Sequence, residues 1–445
     1  MICVGFYKQD LADALTENYT ILQERIETVA MWLEEEGSDN AALWMVLDFM
    51  DFDLATVRAL QIAASERVQL PMEHIHILTT HNHGGGAPNV EKMAALCGEC
   101  AAKAKENACP AYMRYAFVQA DQQMSFIRRK YVPELERKIT IYYGPSQDDG
   151  YNAAPFIEHA VQTTRNGQLK YVGRAETDRP VDPFAPADPE IMILQFQQPD
   201  GTHVGSVLRF AAHVNCATVP ECFTSDFPWH VRQRLETQFG GTALFFNGPC
   251  GDISPGMGAK GDGSHEILGE YLVSKALQAV ETAAFEPVRR FADTTVRIPL
   301  PVRKEVKENR VEMLETMPEQ LPERRRYLEK EYLVKFLSFL REKAAENGGV
   351  QDSVTIELGL LKLNGLTLAG FPGETFSTTA QAVKAAFPER DICTLTEHDR
   401  TVMYLPPVEE FALGGYESVC MSTAPGAEDI LREQAISAVK QFCVQ

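Results

Sequence analysis

Apolar and polar positions along this chain repeat with two periods, and their succession defines its elements. Between Glu27 and Glu34 they alternate, with Val29, Met31 and Leu33 on one side. A Gly37-Ser38-Asp39-Asn40 turn then leads into the apolar run Leu43 to Leu47, which predicts a β-hairpin. After Asp53 the spacing of Leu54, Val57, Leu60 and Ala64 is helical, and Ile75 to Leu78 is a short apolar run of the buried-strand kind. Further strands are expected at 190–197, 207–213, 243–246, 366–370, 392–396 and 401–405. Helices are expected at 91–107, 229–239, 267–283, 375–387 and 427–443. Such interleaving predicts an α/β fold with a large mixed β-sheet covered by helices on both faces.

Two stretches depart from this rhythm. Residues 144–187 are rich in Asp, Pro, Gly and Asn and are expected to form a long loop with one short strand pair. Residues 303–347 are crowded with charges, and Leu333, Phe336, Leu337 and Leu340 fall at helical spacing, so a peripheral amphipathic arm is expected there. No internal repeat and no low-complexity tract is found. The expectation is one domain over 1–445 with a charged helical excursion at about 303–347.

Composition narrows the classes. With 45% hydrophobic and 23% charged residues the chain is globular rather than disordered. Sixty-two acidic against 42 basic residues leave a net charge of −20, which disfavours nucleic acid and stable association with anionic membranes. No apolar run approaches the roughly 18 residues of a membrane helix, and the first residues lack the pattern of a secretory signal. A cytoplasmic location is expected, with the ten cysteines as thiols. A homo-oligomer is compatible with the sequence.

Several polar groups stand where predicted strands end. His81 and His83 follow one strand in Thr79-Thr80-His81-Asn82-His83-Gly84-Gly85-Gly86, where a spacing of two puts both on one face if the strand continues. The three glycines would then let backbone approach a ligand. Imidazoles so placed suit zinc, although two polar loop histidines would look the same. His213, Glu374 and Tyr404 each end or follow an apolar run. Singly, each has an ordinary structural role, as core histidine, helix-start carboxylate and buried tyrosine. Together they are what a site at one edge of an α/β sheet requires. The Gly251-Asp252-Ile253-Ser254-Pro255 loop is not a serine-hydrolase elbow, because Asp252 lies two residues before the serine. Cys97 and Cys100 have redox-like spacing but fall inside a predicted helix.

Taken in order, these segments resemble the catalytic domain of the neutral/alkaline, non-lysosomal ceramidases, as a divergent bacterial-type member. Thr80-His-Asn-His83 is similar to the family's Thr-His-Thr-His, and Phe210-Ala-Ala-His213 to its Phe-Ala-x-His. Ser225-Asp-Phe-Pro228, Gly251-Asp-Ile-Ser-Pro255 and Pro372-Gly-Glu374 follow, and then Tyr404-Leu-Pro-Pro-Val-Glu-Glu-Phe411 with Tyr416-Glu417. The resemblance implies a zinc amidohydrolase acting on carbon–nitrogen bonds other than peptide bonds, with Zn²⁺ held by His81, His213, Glu374 and Tyr404 and a water activated by the metal. It implies His83 as the proton-transfer group, and Arg128 and Tyr416 as stabilisers of the oxyanion. Ser254 matches a serine once regarded as a nucleophile, and a substrate-contact or loop-structuring role is expected for it instead.

The departures fall around the pocket. Gly84-Gly85-Gly86 replaces Ser-Gly-Pro, Gly256 replaces Asn, and Leu405-Pro-Pro replaces Val-Thr-Thr. The C-terminal β-sandwich of secreted ceramidases is also not expected, and no apolar insertion segment or basic patch suits extraction of a lipid from a bilayer. The expected substrate is a smaller, soluble N-acyl amide, with lipid metabolism as a context still open. The alternatives are an esterase, a TIM-barrel-type amidohydrolase and a catalytically silent metal-binding scaffold.

Overall fold

The computed structural model describes the whole chain except residues 17–19, 22–23, 122–123, 133–136, 144–155, 164–168, 177–186, 218–221, 257–263, 309–339, 342–350 and 445. Within its strands, successive side chains enter two different apolar environments, and this alternation builds the layers. In Glu27–Glu35, Val29, Met31 and Leu33 enter one shared core while Ala30 and Trp32 face helices. Glu190–Gln197 repeats the pattern, with Met192, Leu194 and Phe196 in the shared core and Ile191 and Ile193 beneath helices. Ser353–Leu363 does so again, through Leu361 and Leu363 on one side and Ile356, Leu358 and Leu360 on the other. Three sheets therefore meet on one core, and each carries helices on its outer face.

The three sheets share one topology. In the first, the order is Ile75–Thr79, Ala41–Leu47, Glu27–Glu35, Ile2–Asp10, with Cys109–Pro110 added at the edge. In the second it is Thr242–Asn247, His203–Phe210, Glu190–Gln197, Tyr112–Gln119, with Glu286–Pro287 at the edge. In the third it is Asp391–Leu395, Leu366–Gly370, Ser353–Leu363, Phe291–Pro301. Each unit runs through three antiparallel strands, a crossover helix, a fourth strand parallel to the third, and a closing helix. The crossover helices are Leu54–Val68, Asp226–Phe239 and Ser377–Ala385, and the closing helices are Val90–Glu106, Ser264–Val280 and Ala427–Val444. The fold is thus a mixed α/β architecture containing a threefold internal repeat that residue identity does not display.

Adjacent units are tied by charge. Arg58 of the first crossover helix meets Glu357 of the third unit at 2.9 Å, Arg232 of the second meets Asp48 of the first at 2.6 Å, and Lys384 of the third meets Glu190 of the second at 2.7 Å. The longest insertions enter at the same place in each repeat, between first and second strands. In the second unit this insertion contains a four-stranded antiparallel sheet of Arg129–Val132, Arg137–Tyr143, Phe156–Thr163 and Leu169–Glu176, so the expected strand pair is present. In the third it contains the short helix Lys304–Glu308 and the buried Leu340, whereas Leu333, Phe336 and Leu337 lie outside the described residues.

Two local expectations change. The predicted strand at 401–405 is reduced to Tyr404–Leu405, and Glu374 belongs to the short strand Glu374–Thr375 that pairs with it, not to a helix start. Among the described residues no helix is long and apolar enough to cross a membrane.

Candidate metal centre

Because each repeat holds one parallel strand pair, six carboxyl ends of strands supply one region of the molecule, the place where open α/β sheets present ligand-binding groups. Asp48 to Asp51 follow Ala41–Leu47, and Thr80 to His83 follow Ile75–Thr79. His213 follows His203–Phe210, and Cys250 to Ser254 follow Thr242–Asn247. Glu374 and Glu397 follow the two parallel strands of the third unit.

These ends bring His81, His213 and Glu374 together. His213 Nε2 lies 3.1 Å and His81 Nε2 3.4 Å from the same oxygen, Glu374 Oε2, and the two rings are 4.6 Å apart. His213 Nδ1 faces the carbonyls of Cys250 at 2.8 Å and Ile253 at 3.0 Å, which can only accept, so Nδ1 carries the proton and Nε2 keeps its lone pair toward the centre. His81 is oriented alike, its Nδ1 3.2 Å from the Met50 carbonyl and 3.3 Å from Glu397 Oε1. It reaches this pose through a left-handed backbone, φ 62°, which is costly for a residue with a Cβ and concentrates at functional sites. The strand therefore does not continue past Thr79, contrary to the expectation from spacing, and a turn brings His83 to 5.1 Å from His81 and 5.8 Å from His213.

Charge in this region is negative and deeply buried. Burial works against a charged His81, yet Glu374, Glu397 and Asp51 outweigh it and push the imidazole up to about 9. Burial would raise Glu374, but His81 and His213 hold it well below the ordinary carboxylate range. Buried His81 Nε2, His83 Nε2 and Glu397 Oε1 make no hydrogen bond. His81, His213 and Glu374 bring two imidazole nitrogens, the His81 one otherwise unpartnered, and a carboxylate oxygen to one point, a donor set that fits a borderline cation such as zinc.

Glu374 and Tyr404 are partners in the ladder of the two short strands, which places the phenol beside the carboxylate. Tyr404 Oη accepts from Arg128 Nη2 at 2.8 Å, and Tyr416 stands edge-on to Tyr404 with ring centres 5.5 Å apart. Arg128 is held from behind by Glu417 Oε1 at 2.9 Å. Burial and the nearby carboxylate of Glu374 push the Tyr404 hydroxyl well above its usual value despite Arg128. Ser254 Oγ is fully buried with no hydrogen-bond partner.

No family model matches this chain, and neither does any curated protein sequence. Solved structures do match. The neutral ceramidase from Pseudomonas aeruginosa aligns with a TM-score of 0.65 over 98% of this chain and 73% of its own, at 14% identity. A ceramidase complexed with C2 aligns with a TM-score of 0.66 over 99% of this chain and 75% of its own, also at 14% identity. The chain has the ceramidase fold.

Within this ceramidase fold, the motif residues divide into those facing the centre and those that hold the frame. Asp252 accepts from Ser377 N at 2.8 Å and Ser377 Oγ at 2.9 Å, capping the third crossover helix. Gly251 is required because a Cβ there would stand 2.3 Å from the Glu374 carbonyl. Asp226 accepts from Ala217 N at 2.6 Å, and Ser225 donates to Asp48 at 3.0 Å, which locks the second crossover helix to the first unit. The glycines after His83 serve packing against protein. A Cβ on Gly85 would meet the Asp48 carbonyl at 2.4 Å, and one on Gly86 would meet the Phe223 ring at 2.1 Å. Cys97 and Cys100 are buried free thiols on Val90–Glu106, and burial pushes Cys97 up to about 12, against a redox role.

Sequence reasoning missed Glu397 and Cys250. Glu397 lies two residues past its strand end, as His81 does, and shares its left-handed backbone with φ 52°. The signal was present in Thr396-Glu397 mirroring Thr80-His81, legible only once the repeat is known. Cys250 offers a sulfur within 4.8 Å of ligand atoms on His81 and His213.

Proposed function

We propose that the chain is a zinc-dependent hydrolase that cleaves the linear amide bond of a small, soluble N-acyl amide. The observation that carries this reading is the convergence of His81 and His213 on one oxygen of Glu374, next to the Arg128–Tyr404 pair. His81, His213, Glu374 and Tyr404 would hold the zinc, which when bound supplies Lewis acidity and acidifies a water toward a pKa of about 7.

The remaining roles belong to the protein's own groups. His83, whose Nε2 has no partner in the protein, would take a proton and return it to the leaving amine. The buried Arg128 guanidinium and the half-buried Tyr416 would hold the developing oxyanion, and burial strengthens the Arg128 interaction by excluding water. Ser254 Oγ, without a partner in the protein, would contact substrate.

The preference for a soluble amide over ceramide rests on the net charge of −20. Nucleic acid and membranes are disfavoured as partners on the same ground, and self-association is compatible with the reading. The fold, three sheets on a common core, does not favour a TIM barrel. An esterase would use the same groups, and a silent scaffold would hold zinc without turnover.

Metal analysis of purified variants tests the assignment together with a screen of N-acyl amides, matched esters and ceramide, with and without chelator. His81→Ala and Glu374→Ala should lose the zinc of this centre and activity together, whereas Ser254→Ala should keep that zinc. Full zinc retention in both ligand variants would refute the centre. Ceramide as the best substrate without detergent would refute the substrate class.

A further inference from the structure

A second cluster of ligating side chains lies at the junction of the first and second repeats, apart from the strand-end centre. Glu24 sits just before strand Glu27–Glu35, His230 on the crossover helix Asp226–Phe239, and His265 at the start of the closing helix Ser264–Val280. His230 Nε2 lies 3.2 Å and His265 Nε2 3.1 Å from the same oxygen, Glu24 Oε1, and the rings are 5.0 Å apart. We propose that Glu24, His230 and His265 bind a divalent metal ion of the zinc class, as a clip between the two repeats.

Helix packing fixes the geometry. A Cβ on Gly269 would stand 2.6 Å from His230 Cβ, so glycine is what lets the two helices approach here. His265 lies four residues before Gly269 and on the same helix face, which carries its ring toward His230. The three ligand atoms lie within 4.8 Å of one another, as a two-histidine, one-carboxylate set requires. The side chains are 10%, 13% and 16% exposed for Glu24, His230 and His265, screened from bulk water yet open to an arriving ion.

The cluster is additional to the ion pairs that tie the repeats. At the other two junctions a helix cation meets a carboxylate, and here Arg232 already does this with Asp48 and Glu27. What the clip adds is a hold on the start of the second crossover helix. Thr224, beside it, accepts from Asn82 Nδ2 at 2.7 Å and donates its N–H to the Gly84 carbonyl at 3.1 Å, on either side of His83. The clip therefore braces one wall of the strand-end centre from behind.

The test uses the full chain carrying His81→Ala and Glu374→Ala, stripped with chelator and titrated with ZnCl₂ by calorimetry and thermal denaturation. One equivalent of zinc should still bind and raise Tm by several degrees, through mass action on the folded state. Adding Glu24→Gln, which preserves shape, should weaken that binding at least tenfold, and adding His230→Ala with His265→Ala should abolish it and the thermal shift. In the otherwise unaltered chain, His230→Ala with His265→Ala should remove one of two zinc equivalents. No zinc bound by the His81→Ala/Glu374→Ala chain, or binding unchanged by Glu24→Gln, would overturn the clip. Neither result touches the strand-end centre, whose failure would appear as full zinc retention after loss of His81 or Glu374.

Discussion

Replacing Glu417 by alanine should be among the most damaging single changes outside the candidate metal ligands. Its carboxylate is fully buried and accepts from Arg128 Nε at 2.9 Å, Arg129 Nη1 at 2.7 Å and Thr140 Oγ1 at 3.0 Å. Burial would raise its pKa, yet Arg128 and Arg129 hold it down to about 2 from an ordinary 4.5. That depression corresponds to about 3 kcal/mol of preference for the charged form. The truncation argument agrees. Removing this member of a buried ionic network takes the paired carboxylate from Arg128 and leaves Arg129 with Glu410, and costs about 3–5 kcal/mol. In a chain of 445 residues the loss should lower Tm by roughly 3–6 °C. Glu417→Gln keeps the shape and an acceptor, so it should cost less, roughly 1–3 kcal/mol. Arg128 also loses the brace that aims it at Tyr404. At temperatures where each variant is folded, hydrolysis by Glu417→Gln should therefore fall mainly in kcat, with zinc content unchanged. Thermal denaturation of both variants, paired with single-turnover rates, measures the two effects separately. A Glu417→Ala protein with wild-type Tm would show that the network contributes no stability and refute the reasoning.

Stability should also depend on acid through Asp188 and Asp293. Burial raises both carboxyls, but Arg209 and Lys384 hold Asp188 at about 2, and His76, His74 and Trp44 hold Asp293 at about 2, each against an ordinary 3.8. Folded values below unfolded ones mean stability that is present at neutral pH and lost as pH falls from about 4 to about 2, about 2 kcal/mol for each group. Urea unfolding across pH should show this acid limb, and Asp293→Asn should flatten it. Glu397→Gln should weaken zinc binding about 10–100-fold by loosening the His81 ring. With His81, His213, Glu374 and Tyr404 as ligands, the cobalt-substituted protein should show no thiolate charge-transfer band, and a band lost in Cys250→Ser would add Cys250 to the set. Gly86→Ala combines φ +70° with a Cβ 2.1 Å from the Phe223 ring, and should cost more than about 1–3 kcal/mol by chemical denaturation.

Much of the secondary structure was legible because two-period patterning is enforced by burial. Glu190–Gln197 and Leu366–Gly370 were read to the residue, and the hairpin around Gly37 needed only its turn chemistry. Phe291–Pro301 escaped notice because it is an edge strand. Pro299 and Pro301 and its exposed polar positions are tolerated where no second neighbour needs their N–H groups, and they conceal the alternation. The strand that would have set His81 and His83 on one face stops at Thr79, because strand spacing says nothing about a left-handed residue beyond the strand end.

By itself the sequence determined where apolar runs occur, how they are spaced, and that imidazole, carboxylate and phenol groups stand at their ends. Only tertiary structure decided that three such stretches are copies of one topology. A strand buried on both faces demands apolar residues but not particular ones, so repeats can lose identity while keeping their shape. Tertiary structure also decided which strand-end groups meet. His81, His213, Glu374 and Glu397 are separated by long stretches of chain, and it is the parallel pairing within each repeat, and the packing of three sheets on one core, that turns their strand ends toward the same place.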